Sequence, residues 1–437
     1  MRTRVRLPSS ALMLAALLWP MTSMFGCAGQ GATDPGDTGT GGSKIGSGGA
    51  TGSSSGGATG SSSGGATGSG GRAAGSGGRA GTGGGPGTGG APATGGRTGQ
   101  AGSGAGGSGG VTPGSGVEVF VAPTGSDTNP GTMALPFRTL TQGNAVAQPG
   151  TTIWVMAGTF QYTATMGLTK SGAEGTPIRV WAFPGTRPVL DFSGQTKGLS
   201  TARGIEISGN YWHVRGLEVA NAGDNGIAIS GSHNIVENVI LHGNGDTGLQ
   251  ITVPEAQVTN NALGAFNLIL NCDSYENLDQ ATGGENADGF AAKLRIGPGN
   301  IFRGCRAWNN ADDGWDLFAS DDVVVIDNCW AFLNGKPVAG TNPAGDGNGF
   351  KLGGAPSGPG EGGAVHQVTK SSAFDNKACG FVRNNNPQLP TLSDCKVGTN
   401  GTDYCQLSCS PSARTATTGA QAKLMARNAD GSLPAIP

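Results

Sequence analysis

Four aspartates and two lysines carry the side chains from which a metal-assisted acid–base site could be built. Asp312, Asp313 and Asp316 fall within one short stretch, Asp288 lies upstream, and Lys293 and Lys351 flank them. Asp288 and Asp313 each stand directly before a Gly-aromatic pair, Gly289-Phe290 and Gly314-Trp315. Asp316 follows the second pair as Lys351 follows Gly349-Phe350. If those pairs are equivalent positions of a repeat, four carboxylates crowd together and repel unless a cation lies among them. A set of oxygen ligands with no His or Cys selects a hard ion, and several carboxylates in flexible geometry favour Ca²⁺ over Mg²⁺. The plainer alternatives are that Asp312-Asp313 merely turns the chain, and that Lys351 beside Asp316 is a surface ion pair worth about 0–1 kcal/mol.

The elements that must position these residues form a repeat. Gly followed by a large apolar residue recurs at Gly204-Ile205, Gly226-Ile227, Gly248-Leu249, Gly289-Phe290, Gly314-Trp315, Gly349-Phe350 and Gly380-Phe381. A second apolar residue follows two positions on, at Ile207, Ile229, Ile251, Ala292, Leu317 and Leu352, ending at Arg383, where the coil is expected to loosen. Side chains alternate across a strand, so these pairs point inward while Asp316, Lys351 and Lys293 point outward. Asn221, Asn244, Asn277, Asn310, Asn334 and Asn376 fall into a second column. One Asn per turn at an inward bend is the device of a parallel β-helix, where stacked amides satisfy the bend backbone. Tyr275, Trp308, Phe332 and Phe374 are read as a core aromatic column, and Cys272, Cys305 and Cys329 as a buried stack of small side chains. The basic repeat is about 22 residues long, with insertions after Asn277 and Asn334 expected to wall a cleft. The resulting fold class is all-β, a single-stranded parallel β-helix. Strands at Val117–Val121 and Thr152–Met156 flank a helical Thr139–Gln148 segment that caps the N-terminal end, since terminal repeats need a cap.

Composition divides the chain into three parts. The 437 residues include 84 Gly, far above an average share of about 7%. The excess concentrates in residues 27–116, almost wholly Gly, Ser, Thr and Ala, which read as a disordered linker reaching on the order of 50 Å. Residues 1–26 form a signal peptide: Arg2, Arg4 and Arg6 precede the apolar Ala11 to Leu18 run, too short for a permanent span. Met24-Phe25-Gly26-Cys27 is similar to a bacterial lipobox, which implies lipidation of Cys27 and an exported, membrane-tethered or extracellular bacterial protein. Residues 117–437 are one domain, read as a monomer. A net charge of −2 leaves no electrostatic footprint for nucleic acid. In an exported chain Cys379, Cys395, Cys405 and Cys409 are disulfide candidates of open connectivity.

Three blocks carry a resemblance: Cys272 to Leu294 (CDSYENLDQATGGENADGFAAKL), Arg303 to Phe318 (RGCRAWNNADDGWDLF) and Gly347 to Gly354 (GNGFKLGG). With a closing Arg427 to Pro434 segment, they make the chain from about Val117 onward similar to polysaccharide lyase family 9, right-handed parallel β-helices that cleave pectate. The resemblance implies calcium ligands at Asp288, Asp312, Asp313 and Asp316 and a catalytic base at Lys351. It thereby implies a calcium-dependent lyase that cleaves polygalacturonate by β-elimination. Lys293 is expected to meet a substrate carboxylate. The Cys395 to Cys409 segment and the long linker have no counterpart in the family pattern. The residues alone leave open a hydrolase using the same carboxylates as acid and base, a lyase on another uronate such as alginate, and a non-catalytic polysaccharide-binding surface protein.

Overall fold

The computed structural model describes residues 116–254, 263–336, 343–354 and 363–436. The signal segment, Cys27 and nearly all of the linker lie outside these residues. Three parallel sheets of ten, nine and ten strands run side by side among the described residues, and the chain visits them in turn. Trp212–Arg215 lies in the first sheet, Glu218–Ala220 in the next, Ile227–Ile229 in the next, and Ile235–Glu237 is back beside Trp212–Arg215. Each circuit is one coil of a parallel β-helix. The strands are short because every few residues the backbone must turn a corner.

Those corners explain several of the Asn and Gly in the coil. Between the first and second strands of a coil stand Gly216, Asn238, Asn271, Gly304 and Asn328, all at positive φ. Gly and Asn tolerate this left-handed conformation at the least steric cost. A second corner follows the second strand, at Asn221, Gly243, Glu276, Asn309, Leu333, Asp375 and Thr399. The residue after it begins the inward amide column.

That column corrects the sequence reading at both ends. Asn277 Nδ2 donates to Asn310 Oδ1 at 2.8 Å, Asn310 Nδ2 to Asn334 Oδ1 at 3.0 Å, and Asn334 Nδ2 to Asn376 Oδ1 at 3.0 Å. Asn244 begins the ladder by donating to Asn277, and Asn400 extends it beyond Asn376. Asn221 is not a member: it occupies the left-handed corner and bonds Asp191, while Ala222 holds the ladder position. A shorter second ladder, Asn234 to Asn267 to Asn300, lines the corner leading into the first sheet. His366 takes over that role later, its Nδ1 accepting the Val324 N–H at 3.2 Å.

The core lies inside the coil. Ile205, Ile207, Ile227, Leu249, Ile251, Phe290, Trp315, Leu317, Phe350 and Leu352 are fully buried, as are Cys272, Cys305 and Cys329. Phe290, Trp315, Phe350 and Phe381 stack along the axis with centroids 4.8–4.9 Å apart. The Tyr275, Trp308, Phe332 and Phe374 column, expected in this core, stacks instead on the outside of the coil. Its cover is the C-terminal segment, through Ala422, Leu433 and Ile436. The left-handed corner residue explains the difference, because counting by twos through a corner reverses which face a side chain takes. Arg427 of the same segment joins Arg306 on the buried Asp273 carboxylate, at 2.6 and 2.7 Å, pinning the segment to the outer sheet.

The N-terminal cap is as expected: α1 (Leu140–Val146) packs against the strands Glu118–Val121 and Thr152–Val155. At the other end, Cys379–Val382 still pairs with Thr402–Cys405, so the coil continues past Arg383 rather than loosening there. Disulfides join Cys379 to Cys405 and Cys395 to Cys409.

Candidate active site

The four aspartates and two lysines gather where the second corner of the coil leads into the sheet that carries Phe290–Ala292, Trp315–Asp316 and Phe350–Lys351. Register does the assembling. Phe290 pairs with Trp315 and Trp315 with Phe350, so the residues just before each Gly, Asp288, Asp313 and Asn348, line up on successive coils. The two insertions meet over this edge, where the Ala344 N–H donates to Gly283 O at 3.0 Å.

One oxygen each from Asp288, Asp312 and Asp313 lies within 4.8 Å of the others, and all three residues are buried. Their remaining bonds come from the surrounding coils. Asp288 Oδ1 accepts the Asp313 N–H at 3.2 Å, and its Oδ2 accepts from Thr247 Oγ1 at 3.2 Å. Asp312 Oδ1 accepts the Asp346 N–H at 2.7 Å. Asp313 Oδ1 accepts both the backbone N–H and the side-chain amide of Asn348. Asp313 Oδ2 is buried and accepts no hydrogen bond, though Lys351 Nζ stands 3.3 Å away. A buried carboxylate oxygen in that condition, on a residue grouped with two further carboxylates, fits a hard cation.

Asp316 stands beside this trio. Its Oδ2 lies 3.0 Å from Lys293 Nζ, which also lies 2.8 Å from Asp288 Oδ2. Lys293 therefore bridges two of the acids, and its side chain is only 12% exposed. Lys351 is opposite Asp316 in backbone register, yet its ammonium pairs with Asp313 and, at 3.6 Å, with Asp346. The sequence reading did not single out Asp346, Asn348 or Thr247 as contributors. The Asp346-Gly347-Asn348 run directly before Gly349-Phe350 was the available signal for the first two.

Burial and crowding set the charges. Burial pushes Asp288 up to about 6 against the pull of Lys293, and Asp313 up to about 7 against that of Lys351. Burial also raises Asp312, with Asp313 and Asp288 adding to the effect. For Asp316 burial acts upward, but Lys351 and Lys293 together hold it below the usual carboxylate value. Burial pulls Lys351 down, and Asp316, Asp313, Asp312 and Asp288 more than reverse it, so the bare cluster keeps Lys351 protonated. Such a cluster can bind a divalent ion and hold a lysine ready for proton transfer only once its negative charge is offset.

A family model described as Pel9A-like, right handed beta helix region, matches residues 119–417. The chain belongs to this Pel9A-like family. Over 293 residues it is 41% identical to pectate lyase L of Dickeya chrysanthemi, covering 65% of this chain and 66% of that protein. Pectate lyase L of Paenibacillus polymyxa (strain SC2) is likewise 41% identical over 293 residues, covering 65% of this chain and 63% of its own. The chain thus spans just under two thirds of these relatives. Against the crystal structure of pectate lyase Pel9A the identity is 33% and the TM-score 0.62, over 73% of this chain and 87% of that one. Membership in the Pel9A-like family agrees with the resemblance to polysaccharide lyase family 9 and with a right-handed coil.

Proposed function

We propose that this Pel9A-like chain is a calcium-dependent pectate lyase that cleaves α-1,4-galacturonosyl linkages by β-elimination. The observation that carries the reading is the buried Asp288, Asp312 and Asp313 trio with Lys351 Nζ 3.3 Å from Asp313, in a chain whose relatives are pectate lyases. Asp288, Asp312, Asp313 and Asp316 would hold Ca²⁺, which supplies positive charge to a substrate carboxylate and so acidifies the neighbouring C5 proton. Lys351 is the base that takes this proton; the C5–H electron pair becomes the C4–C5 double bond, the C4–O bond breaks, and the departing glycosidic oxygen takes a proton from water, leaving an unsaturated sugar. With the carboxylate charge offset, Lys351 loses the four-fold attraction that otherwise keeps it protonated. Competition for Asp288 and Asp316 likewise frees Lys293 to meet a neighbouring substrate carboxylate.

Polygalacturonate, alginate and methylated pectin incubated with the purified protein, with and without chelator, test the reading. Elimination gives an ultraviolet-absorbing conjugated product, hydrolysis gives new reducing ends without that absorbance, and a binding protein gives neither. Chelator-resistant cleavage of polygalacturonate would remove calcium from the account, and cleavage of alginate alone would change the substrate. For the exported, lipid-anchored form, fatty-acid label should enter the full chain and be lost in Cys27→Ser. Label retained in that variant would exclude the anchor.

A further inference from the structure

We propose that Asn348 is the positioning residue that sets calcium affinity, by locking Asp313 so that only its Oδ2 faces the cluster. The proposal rests on the calcium reading above. Asp313 Oδ1 is held twice by one residue: the Asn348 N–H at 2.6 Å and the Asn348 Nδ2 at 2.9 Å. Rotation of the carboxylate breaks both bonds at once. The opposite oxygen is consequently kept in place although it is buried without a hydrogen bond of its own. Apart from the Lys351 ammonium 3.3 Å away, what holds that oxygen in place is the grip on its partner oxygen.

Asn348 is itself oriented from the far side. Its Oδ1 accepts the Cys379 N–H at 3.1 Å, and Cys379 is anchored by its disulfide to Cys405. One neighbour requires an acceptor and the other a donor, and the amide of Asn348 supplies both at once. The same column continues through the acids, as the Asp313 N–H donates to Asp288 Oδ1 and the Asp288 N–H to Thr247 Oγ1. The two carboxylates are thus middle rungs of a polar ladder, with Asn348 the rung that decides which oxygen of Asp313 is free. An aspartate at 348 would keep the shape and turn the donor into a repelling acceptor. Outer partners of metal ligands commonly influence affinity in this way.

The test is calcium titration by calorimetry on the full chain, backed by terbium luminescence and by thermal midpoints in chelator. Asn348→Ala should bind calcium about tenfold more weakly, the lower end of what such partners contribute. Its kcat at saturating calcium should stay near that of the unaltered chain while the calcium needed for half activity rises. Asn225 occupies the same column position two coils before Asp288, and Asn225→Ala should leave calcium affinity unchanged. Asn348→Asp preserves packing and carries the test if the alanine variant does not fold. Unchanged affinity in Asn348→Ala, or equal losses in Asn348→Ala and Asn225→Ala, would overturn the positioning role alone. An unaltered chain that binds neither calcium nor terbium would overturn the calcium reading and this proposal with it.

Discussion

Lys351 reaches across one coil to Asp313, its Nζ 3.3 Å from Oδ2, although its backbone partner in the sheet is Asp316. Asp316 is occupied by Lys293. The proposed base and one proposed calcium ligand are therefore in direct contact, so offsetting charge at Asp313 would act on Lys351 without an intermediary.

Lys351→Ala should still bind calcium and oligogalacturonate yet turn over at least about 100-fold more slowly, the low end of a positioned base's contribution. Lys351→Arg should be nearly as slow, because a guanidinium stays protonated. A base must be neutral to act, so activity of the unaltered chain should rise toward alkaline pH. Steady-state rates at saturating calcium across pH check all three, and a fully active Lys351→Arg at alkaline pH would reassign the base.

Asp313→Ala removes the carboxylate at the centre of the trio. Calcium affinity and activity should fall together, with little change in circular dichroism, because the strand register depends on backbone pairing. Calorimetry showing normal calcium binding would move the ion elsewhere.

Asn310→Leu breaks the ladder between Asn277 and Asn334 and leaves corner groups buried without partners. A cost of about 1–3 kcal/mol is expected for one such group. An unchanged denaturation midpoint would show that the ladder contributes little.

His366 is fully buried, and burial lowers its pKa to about 4. Its unfolded-state value is near 6.5, so below that pH the unfolded chain takes up a proton that the folded chain refuses. The stability contribution is whole above about pH 6.5 and is lost as pH falls toward about 4, by about 3 kcal/mol for a shift of this size. Asp288 and Asp313, whose folded values are raised, act in the opposite sense. The difference between the unaltered chain and His366→Asn isolates the histidine: the gap should narrow as pH falls through that window. A gap that stays constant would show that His366 is not buried neutral.

The sequence by itself determined the coil and the gathering of the acids. In a solenoid the register follows from the repeat, so residues just before successive Gly-apolar pairs must become neighbours. Asp288 and Asp313 could therefore be placed together before any coordinates. The amide ladder was legible from Asn244 to Asn376 for the same reason. Only the tertiary structure decided what happens at corners and at side-chain tips. A left-handed residue such as Glu276 resets the alternation of faces, which put Tyr275 on the outside, under a C-terminal segment about 150 residues away in sequence, while Asn221 shares the corner position of Gly243 and so lies one residue off the ladder. Disulfide pairing depended on which of four nearby cysteines the last coils brought together. The partners of Lys293 and Lys351 depended on the reach of long side chains into a cluster whose shape two insertions complete. Asn348 shares the repeat position of Asp288 and Asp313, but Asp346 entered the cluster from one of those insertions, where no repeat exists to say in advance which residue will face the acids.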